Sequence, residues 1–188
     1  MLILGGYMLD LICFDFINSK WYKEQDGIEP FTKQEWVNKF LITWNLATLP
    51  IAEQEDLNEL INLRDLLVSI VEHIQERGSI SREHIVELNN FMSKTPVYRK
   101  IQVYEKQLVL DYECSFYNWK HVINRILGSF AELICNHSID NIKVCENSSC
   151  RFVFYDSSKN HSKRWCCDTC RNLIKVRNFR AKHKEKFK

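Results

Sequence analysis

Five of the eight cysteines in this 188-residue chain fall within residues 145–170: Cys145, Cys150, Cys166, Cys167 and Cys170. No other feature constrains the fold as tightly. A C-x4-C pair, a 15-residue gap and a Cys-Cys-x-x-Cys group make two chelating turns that bring four thiolates onto one cation at small loop-closure cost. Zn²⁺ is the natural occupant. A ligand set this rich in thiolate belongs to a structural ion, because catalytic zinc keeps a position open for water and commonly takes histidine or carboxylate. Cys145, Cys150 and Cys170 serve in either arrangement, while the fourth ligand is Cys166 or Cys167, since C-x3-C and C-x2-C both span a tetrahedral ion. His161 lies inside the loop but ranks below the thiols, because Ser157 to His161 is a polar run that reads as a solvated turn. The other three cysteines, Cys13, Cys114 and Cys135, sit singly among apolar neighbours. One metal site in a reducing compartment explains this distribution better than disulfides do.

The charge is distributed as unevenly as the cysteines. A formal net charge of +2 divides into 13 Lys and Arg against 4 Asp and Glu in residues 143–188, and 13 against 20 in the rest. An acidic body therefore carries a basic interaction segment. After Cys170 no Pro or Gly interrupts a helical stretch bearing Arg171, Asn172, Lys175, Arg177, Arg180 and Lys182, with Leu173, Ile174 and Val176 able to pack. Lys163 and Arg164 join this group from the other side of the cysteines. Cations beside a metal-stiffened turn are the means by which proteins neutralise phosphates, so DNA is the expected partner of these eight residues.

Ahead of the cysteines the hydrophobic pattern is helical. Leu9, Ile12, Cys13, Phe16 and Ile17 form the stripe of a first helix, closed by Gly27 and Pro30. Thr32 and Glu35 read as a capping box opening a second helix through about Trp44, with Trp36, Phe40 and Trp44 on one face. A long third helix runs from Leu57 to just before Gly78, and a fourth starts at a Ser81 cap. Period-two alternation of Ile101, Val103, Leu108 and Leu110 about a turn at Glu105 to Gln107 predicts a β-hairpin near 97–113. A last helix spans Trp119 to about His137, and Phe152 to Tyr155 alternates like a short strand, its aromatics expected to form a miniature core over the metal.

The expected fold is thus mainly α with a small β-hairpin (α+β). A helical domain over 1–140 precedes a zinc-binding module with a basic C-terminal helix over 141–188. The opening MLILGGYMLDLICFDF lacks a basic flank and soon meets Asp10 and Asp15, so it reads as neither signal peptide nor membrane span, and a cytoplasmic protein is expected. HExxH, GxSxG and glycine-rich phosphate-loop motifs are missing, so no enzyme is expected. Asp15, Asn18 and Arg64 are the candidates for a pocket in the helical body that takes a small-molecule effector, and a homodimer is the expected assembly if the body serves to dimerise.

Several segments together resemble the CGNR zinc finger family: Cys145-x4-Cys150, then Phe152-Val153-Phe154-Tyr155-Asp156-Ser157-Ser158, Lys163-Arg164-Trp165-Cys166, and Cys170-Arg171-Asn172 followed by basic residues. Leu11 to Ser19 looks like the opening of the ABATE domain that usually accompanies that finger, with further echoes at Leu63-Arg64-Asp65 and Leu88-Asn89. The resemblance implies a stress-linked transcription regulator that binds DNA through its basic zinc module and uses the helical domain for sensing or dimerisation. The chain departs from the name-giving motif, with Arg171 in place of glycine and Leu173 in place of arginine. A zinc-stapled RNA- or protein-interaction module is the competing expectation, and salt-dependent DNA binding separates the two.

Overall fold

A computed structural model describes residues 2–4, 7–9, 11–95, 97–104, 106–113 and 117–184. Two short strands, β1 (Leu2–Leu4) and β2 (Tyr7–Leu9), pair antiparallel with Leu2 opposite Leu9. That pairing takes Leu9 out of the first helix, which was expected to include it. The helix, α1 (Ile12–Asp26), begins three residues later and buries Ile12, Cys13, Phe16 and Ile17 on one face.

A 3-10 turn at Pro30–Thr32 leads into α2 (Gln34–Thr43). The expected capping box does not form. The Thr32 hydroxyl donates instead to the Glu29 carbonyl at 2.7 Å, which leaves Lys33 as the helix N-cap, its side chain making no capping bond. The turn carries Phe31 into an aromatic cluster, with ring centroids 5.6 Å from Phe16, 4.8 Å from Trp36, 5.9 Å from Phe40 and 5.9 Å from Trp119. Such edge-to-face and tilted contacts fix side-chain orientation beyond what area burial supplies.

The longest helix, α3 (Gln54–Arg77), stops at Gly78, whose left-handed φ of 65° lets its N–H cap the Ile74 carbonyl at 2.8 Å. α4 (Arg82–Ser93) opens as expected, with Ser81 Oγ accepting from the His84 N–H. The apolar stripe of α5 (Trp119–Asn136) is buried through Val122, Ile123, Ile126, Leu127, Phe130 and Leu133, and Asn118 caps its first turn. Helices α1, α3 and α5 pack on one another, and α4 covers α3 and α5.

Between α4 and α5 lies the hairpin of β3 (Tyr98–Tyr104) and β4 (Gln107–Glu113), in the register Tyr104 opposite Gln107. Its alternation is present, yet the described side chains of both strands are exposed. Glu105, Cys114 and the side chain of Lys182 lie outside the described residues. No helix among those described is long and apolar enough to cross a membrane.

The chain ends in β5 (Ile142–Val144), β6 (Val153–Tyr155) and α6 (Asp168–Lys184). β5 and β6 pair antiparallel and pack on α3 and α1. Ile142, Val153 and Tyr155 thereby join the core of the helical body rather than forming a separate miniature one. So short a segment buries more apolar area against two helices than it can against itself.

Candidate metal centre and its basic groove

Cys145 follows β5 directly, and its N–H bonds the Phe152 carbonyl at 2.9 Å, so the β5–β6 pairing continues into the first chelating turn. Within that turn Asn147 does most of the shaping. Its carbonyl accepts from Cys150 N at 2.7 Å and Arg151 N at 3.2 Å, and its Oδ1 accepts from Ser149 N at 3.2 Å. Arg151 then takes a left-handed φ of 56°, which reverses the chain towards β6. Asn147 also donates its Nδ2 to Cys170 Sγ at 3.4 Å, a bond to a ligand sulfur of the kind that orients and tunes a metal site. The second pair comes from the entry of α6. Cys166 precedes the helix and Cys170 lies in its first turn, facing inward.

The Sγ atoms of Cys145, Cys150, Cys166 and Cys170 all lie within 4.8 Å of one another. Cys150 and Cys166 are 3.6 Å apart, and Cys166 and Cys170 3.8 Å. With zinc–sulfur bonds of about 2.3 Å, a regular tetrahedron places its sulfurs about 3.8 Å apart, so this spacing fits zinc. Of the two candidates for the fourth ligand, Cys166 is inside the cluster, whereas Cys167 is exposed on its outer side. His161 is spent elsewhere, its Nδ1 lying 3.0 Å from the Asp156 carbonyl oxygen.

The thiols favour different protonation states. Burial pushes Cys145 up, but N–H groups of Cys166 and Asn147 and the Cys166 and Cys170 thiols outweigh it and hold Cys145 below the ordinary thiol value. Burial, reinforced by the charge at Cys145, pushes Cys150 up to about 11 and Cys166 higher still. Four sulfurs this close together, two of them buried, cannot all carry charge unaided, and a divalent cation removes that conflict.

Residues 141–183 match the CGNR zinc finger family. The match covers β5, β6, the cysteine cluster and nearly all of α6, and no curated protein matches the chain. Cys145, Cys150, Cys166 and Cys170 of this zinc finger are positioned to bind one zinc ion. The loop of the finger is braced by Asp156, fully buried, which accepts from Ser158 N at 3.0 Å, Ser158 Oγ at 2.6 Å and Lys163 N at 2.7 Å. Burial raises its pKa, but these donors and the Lys143 ammonium outweigh it and hold the carboxyl below the ordinary range.

Three contacts bolt the finger to the body. Asn18 donates Nδ2 to the Val153 carbonyl at 3.0 Å and accepts the Val153 N–H on Oδ1 at 2.7 Å, both bonds buried. Gln75 on α3 donates to the Ile142 carbonyl at 2.7 Å. Arg151 lies 4.6 Å over the Trp21 ring and 3.6 Å from Glu72. The residues expected to form an effector pocket therefore divide. Asp15 and Asn18 line a cleft of about 210 Å³ with Trp36, Phe40 and Phe152, where desolvation raises the Asp15 pKa against a 3.0 Å bond from Trp44 Nε1. Arg64 does not line that cleft. It is buried in a bidentate pair with Glu29 at 2.8 and 2.6 Å and donates to Ser19 Oγ at 2.9 Å.

The basic residues also divide. Lys163, Arg164 and Arg171 line one groove of about 580 Å³ beside the cysteines, together with Trp165 and Cys167. Arg164 is bonded to the Glu146 carboxylate through Nε at 2.8 Å and through its terminal nitrogen, which keeps its charge firmly in place. Arg171 pairs with Asp168 at 3.1 Å. Arg177 reaches back to Asn147 and Ser149 at 3.4 Å. Asn172, Lys175 and Arg180 are exposed along α6. Leu173 and Val176, expected to be able to pack, are exposed too. Sequence reasoning passed over Asn147 and the bracing role of Asp156. Asn147 sits inside the C-x4-C turn, where an Asx residue is a readable signal, and Asp156 precedes the serine that bonds it.

Proposed function

We propose that this protein is a DNA-binding transcription regulator in which a structural zinc ion stiffens a basic surface and an ABATE-like helical body acts as the sensing or dimerising unit. The observation that carries this reading is the groove lined by Lys163, Arg164 and Arg171, continued along α6 by exposed Lys175 and Arg180. Phosphate contacts of this kind position a protein on a duplex, and the helix projecting beyond the metal is the element with reach into a groove. Rigidity supports the reading: the metal fixes the first turn of α6, and Glu146 and Asp168 hold Arg164 and Arg171 in fixed orientations while leaving their outer donors available. The cleft at Asp15 and Asn18 touches both α1 and Phe152 of the finger, so a small effector there would bridge body and finger. The fold reads as a binding protein and no catalytic step is assigned to it. A stress-linked role accords with the ABATE-like opening.

The test is fluorescence anisotropy on duplex DNA at several salt concentrations, comparing the native protein with Lys163→Ala/Arg171→Ala/Lys175→Ala/Arg180→Ala. Affinity should fall for every duplex, and the salt slope should flatten by up to about 0.9 per lost phosphate contact. Zinc content should be unchanged. Equal binding by both proteins at two salt concentrations would remove DNA from the reading and leave a zinc-stapled RNA- or protein-interaction module.

A further inference from the structure

Asn147 stands between the cysteine cluster and the helix that carries the exposed cations. The residue is 3% exposed, and the two ends of its amide have different tasks. Oδ1 accepts from the Ser149 N–H at 3.2 Å and from Arg177 Nη1 at 3.4 Å. Two donors on one atom fix which end of the amide is oxygen, since a turned amide would set its NH2 group against both N–H groups. Nδ2 is therefore obliged to face Cys170 Sγ, 3.4 Å away. Cys170 and Arg177 are seven positions apart on α6. That is close to two turns at about 3.6 residues per turn, so one face of the helix presents both to the C-x4-C turn. Arg177 also directs both terminal nitrogens at Ser149 Oγ, each at 3.4 Å. Leu173, Val176 and Phe179 around it are exposed, which leaves polar contacts a larger share in holding this stretch of α6.

We infer that Asn147 is a positioning residue that couples Arg177 to the metal ligand Cys170, so that α6 and the metal site hold each other in place. The sulfur is the decisive acceptor. A metal-bound cysteine sulfur carries negative charge and accepts an N–H bond more strongly than a neutral thiol does. Holding Nδ2 against that sulfur also holds Oδ1, at the other end of a rigid planar amide, towards Arg177. The guanidinium in turn polarises the amide and makes Nδ2 a better donor to the sulfur. Coupling of this kind is reciprocal: whatever loosens Arg177 weakens the metal site, and whatever weakens the metal site loosens Arg177. Arg177 thus acts on the metal site through one intervening amide. Exposed Lys175 and Arg180 are accordingly presented from a helix whose direction is tied to the metal beyond its first turn. The inference rests on the zinc site and does not depend on what α6 touches.

The test uses the full-length chain loaded with metal and reads the site in two ways. In a chelator competition, Asn147→Ala should weaken zinc binding by about 10- to 100-fold, the range for losing a bond to a metal ligand. Arg177→Ala should weaken it by at least about 3-fold, within the range of couplings between residues in contact. Arg180→Ala removes the same charge from the same helix and should leave zinc affinity unchanged. The double variant Asn147→Ala/Arg177→Ala should bind zinc as Asn147→Ala does, because the amide through which Arg177 acts is already gone. In protein loaded with cadmium-113 in place of zinc, the metal resonance should move in Asn147→Ala and in Arg177→Ala but not in Arg180→Ala. A merely weakened helix does not give that signature. Should Asn147→Ala fail to fold, the comparison of Arg177→Ala with Arg180→Ala still decides, since both side chains are exposed on α6. Zinc affinity in Arg177→Ala equal to that in Arg180→Ala, losses that multiply in the double variant, or a cadmium resonance unmoved by Arg177→Ala would each overturn the inference.

Discussion

Replacing Asn18 with alanine tests how the zinc finger is joined to the body. The amide makes two buried bonds to Val153, one as donor and one as acceptor. Each neutral bond contributes about 0.5 to 1.5 kcal/mol net. The truncation also strands the Val153 N–H and carbonyl on the side of β6 away from β5, and an orphaned buried group costs about 1 to 3 kcal/mol, the upper part of which applies only if water stays out. Because these penalties overlap with the lost bonds, the expected destabilisation is about 2 to 4 kcal/mol. For a chain of this size each kcal/mol corresponds to a melting shift of about 2 to 4 °C, giving a fall of about 4 to 16 °C. Urea unfolding followed by tryptophan fluorescence and by circular dichroism measures the change and shows whether the two probes still coincide. Asn172→Ala, on the exposed side of α6, is the control and should shift stability by less than about 0.5 kcal/mol. An Asn18→Ala change as small as the control would refute the clasp and leave apolar contacts alone to hold β6 in place.

Elemental analysis should find one zinc per chain, lost in Cys145→Ser and in Cys170→Ser but retained in Cys167→Ser, whose thiol lies outside the cluster. Zinc affinity should fall as pH drops, because the metal must displace protons from thiols held as high as Cys150, at about 11. A competition titration between pH 6 and 8 should show that dependence, and a flat profile would contradict it. Arg64→Leu should cost about 3 to 5 kcal/mol by leaving the Glu29 carboxylate buried without its guanidinium, whereas Arg64→Met/Glu29→Gln should recover much of the loss in the same urea assay.

What was readable in the sequence was mostly what is local. Helices α3 and α5 follow from their apolar period, and the ends of α3 and α4 follow from Gly78 and Ser81, because a stripe and a cap are both defined within a few residues. The hairpin was equally legible from its alternation. That its aliphatic side faces outward was not, since period two marks a face without saying what covers it. Thr32 misled because one hydroxyl had two backbone groups in reach and bonded the Glu29 carbonyl. The cysteine cluster was legible as a cluster, but the choice of Cys166 over Cys167 depends on which thiol turns inward at the start of α6, a matter of side-chain direction rather than spacing. Asn18 was a candidate for ligand contact, and nothing near it in the sequence points to a backbone partner 135 positions away. Arg64 is similar: its partner Glu29 is 35 residues distant and its burial is set by the packing of α1 and α3.

The distance between Asn18 and Val153 also orders events in time. Translation at about 5 to 20 residues per second separates the synthesis of these two residues by roughly 7 to 27 s. Throughout that interval the α1 surface that will receive Val153 has no cover, and the amide that will clasp it has only water as a partner. Seating the β5–β6 hairpin is accordingly a late step in the maturation of the nascent chain. A chain interrupted before residue 153 would carry an open seam in its core, the kind of exposed apolar surface that chaperones hold and proteases find first.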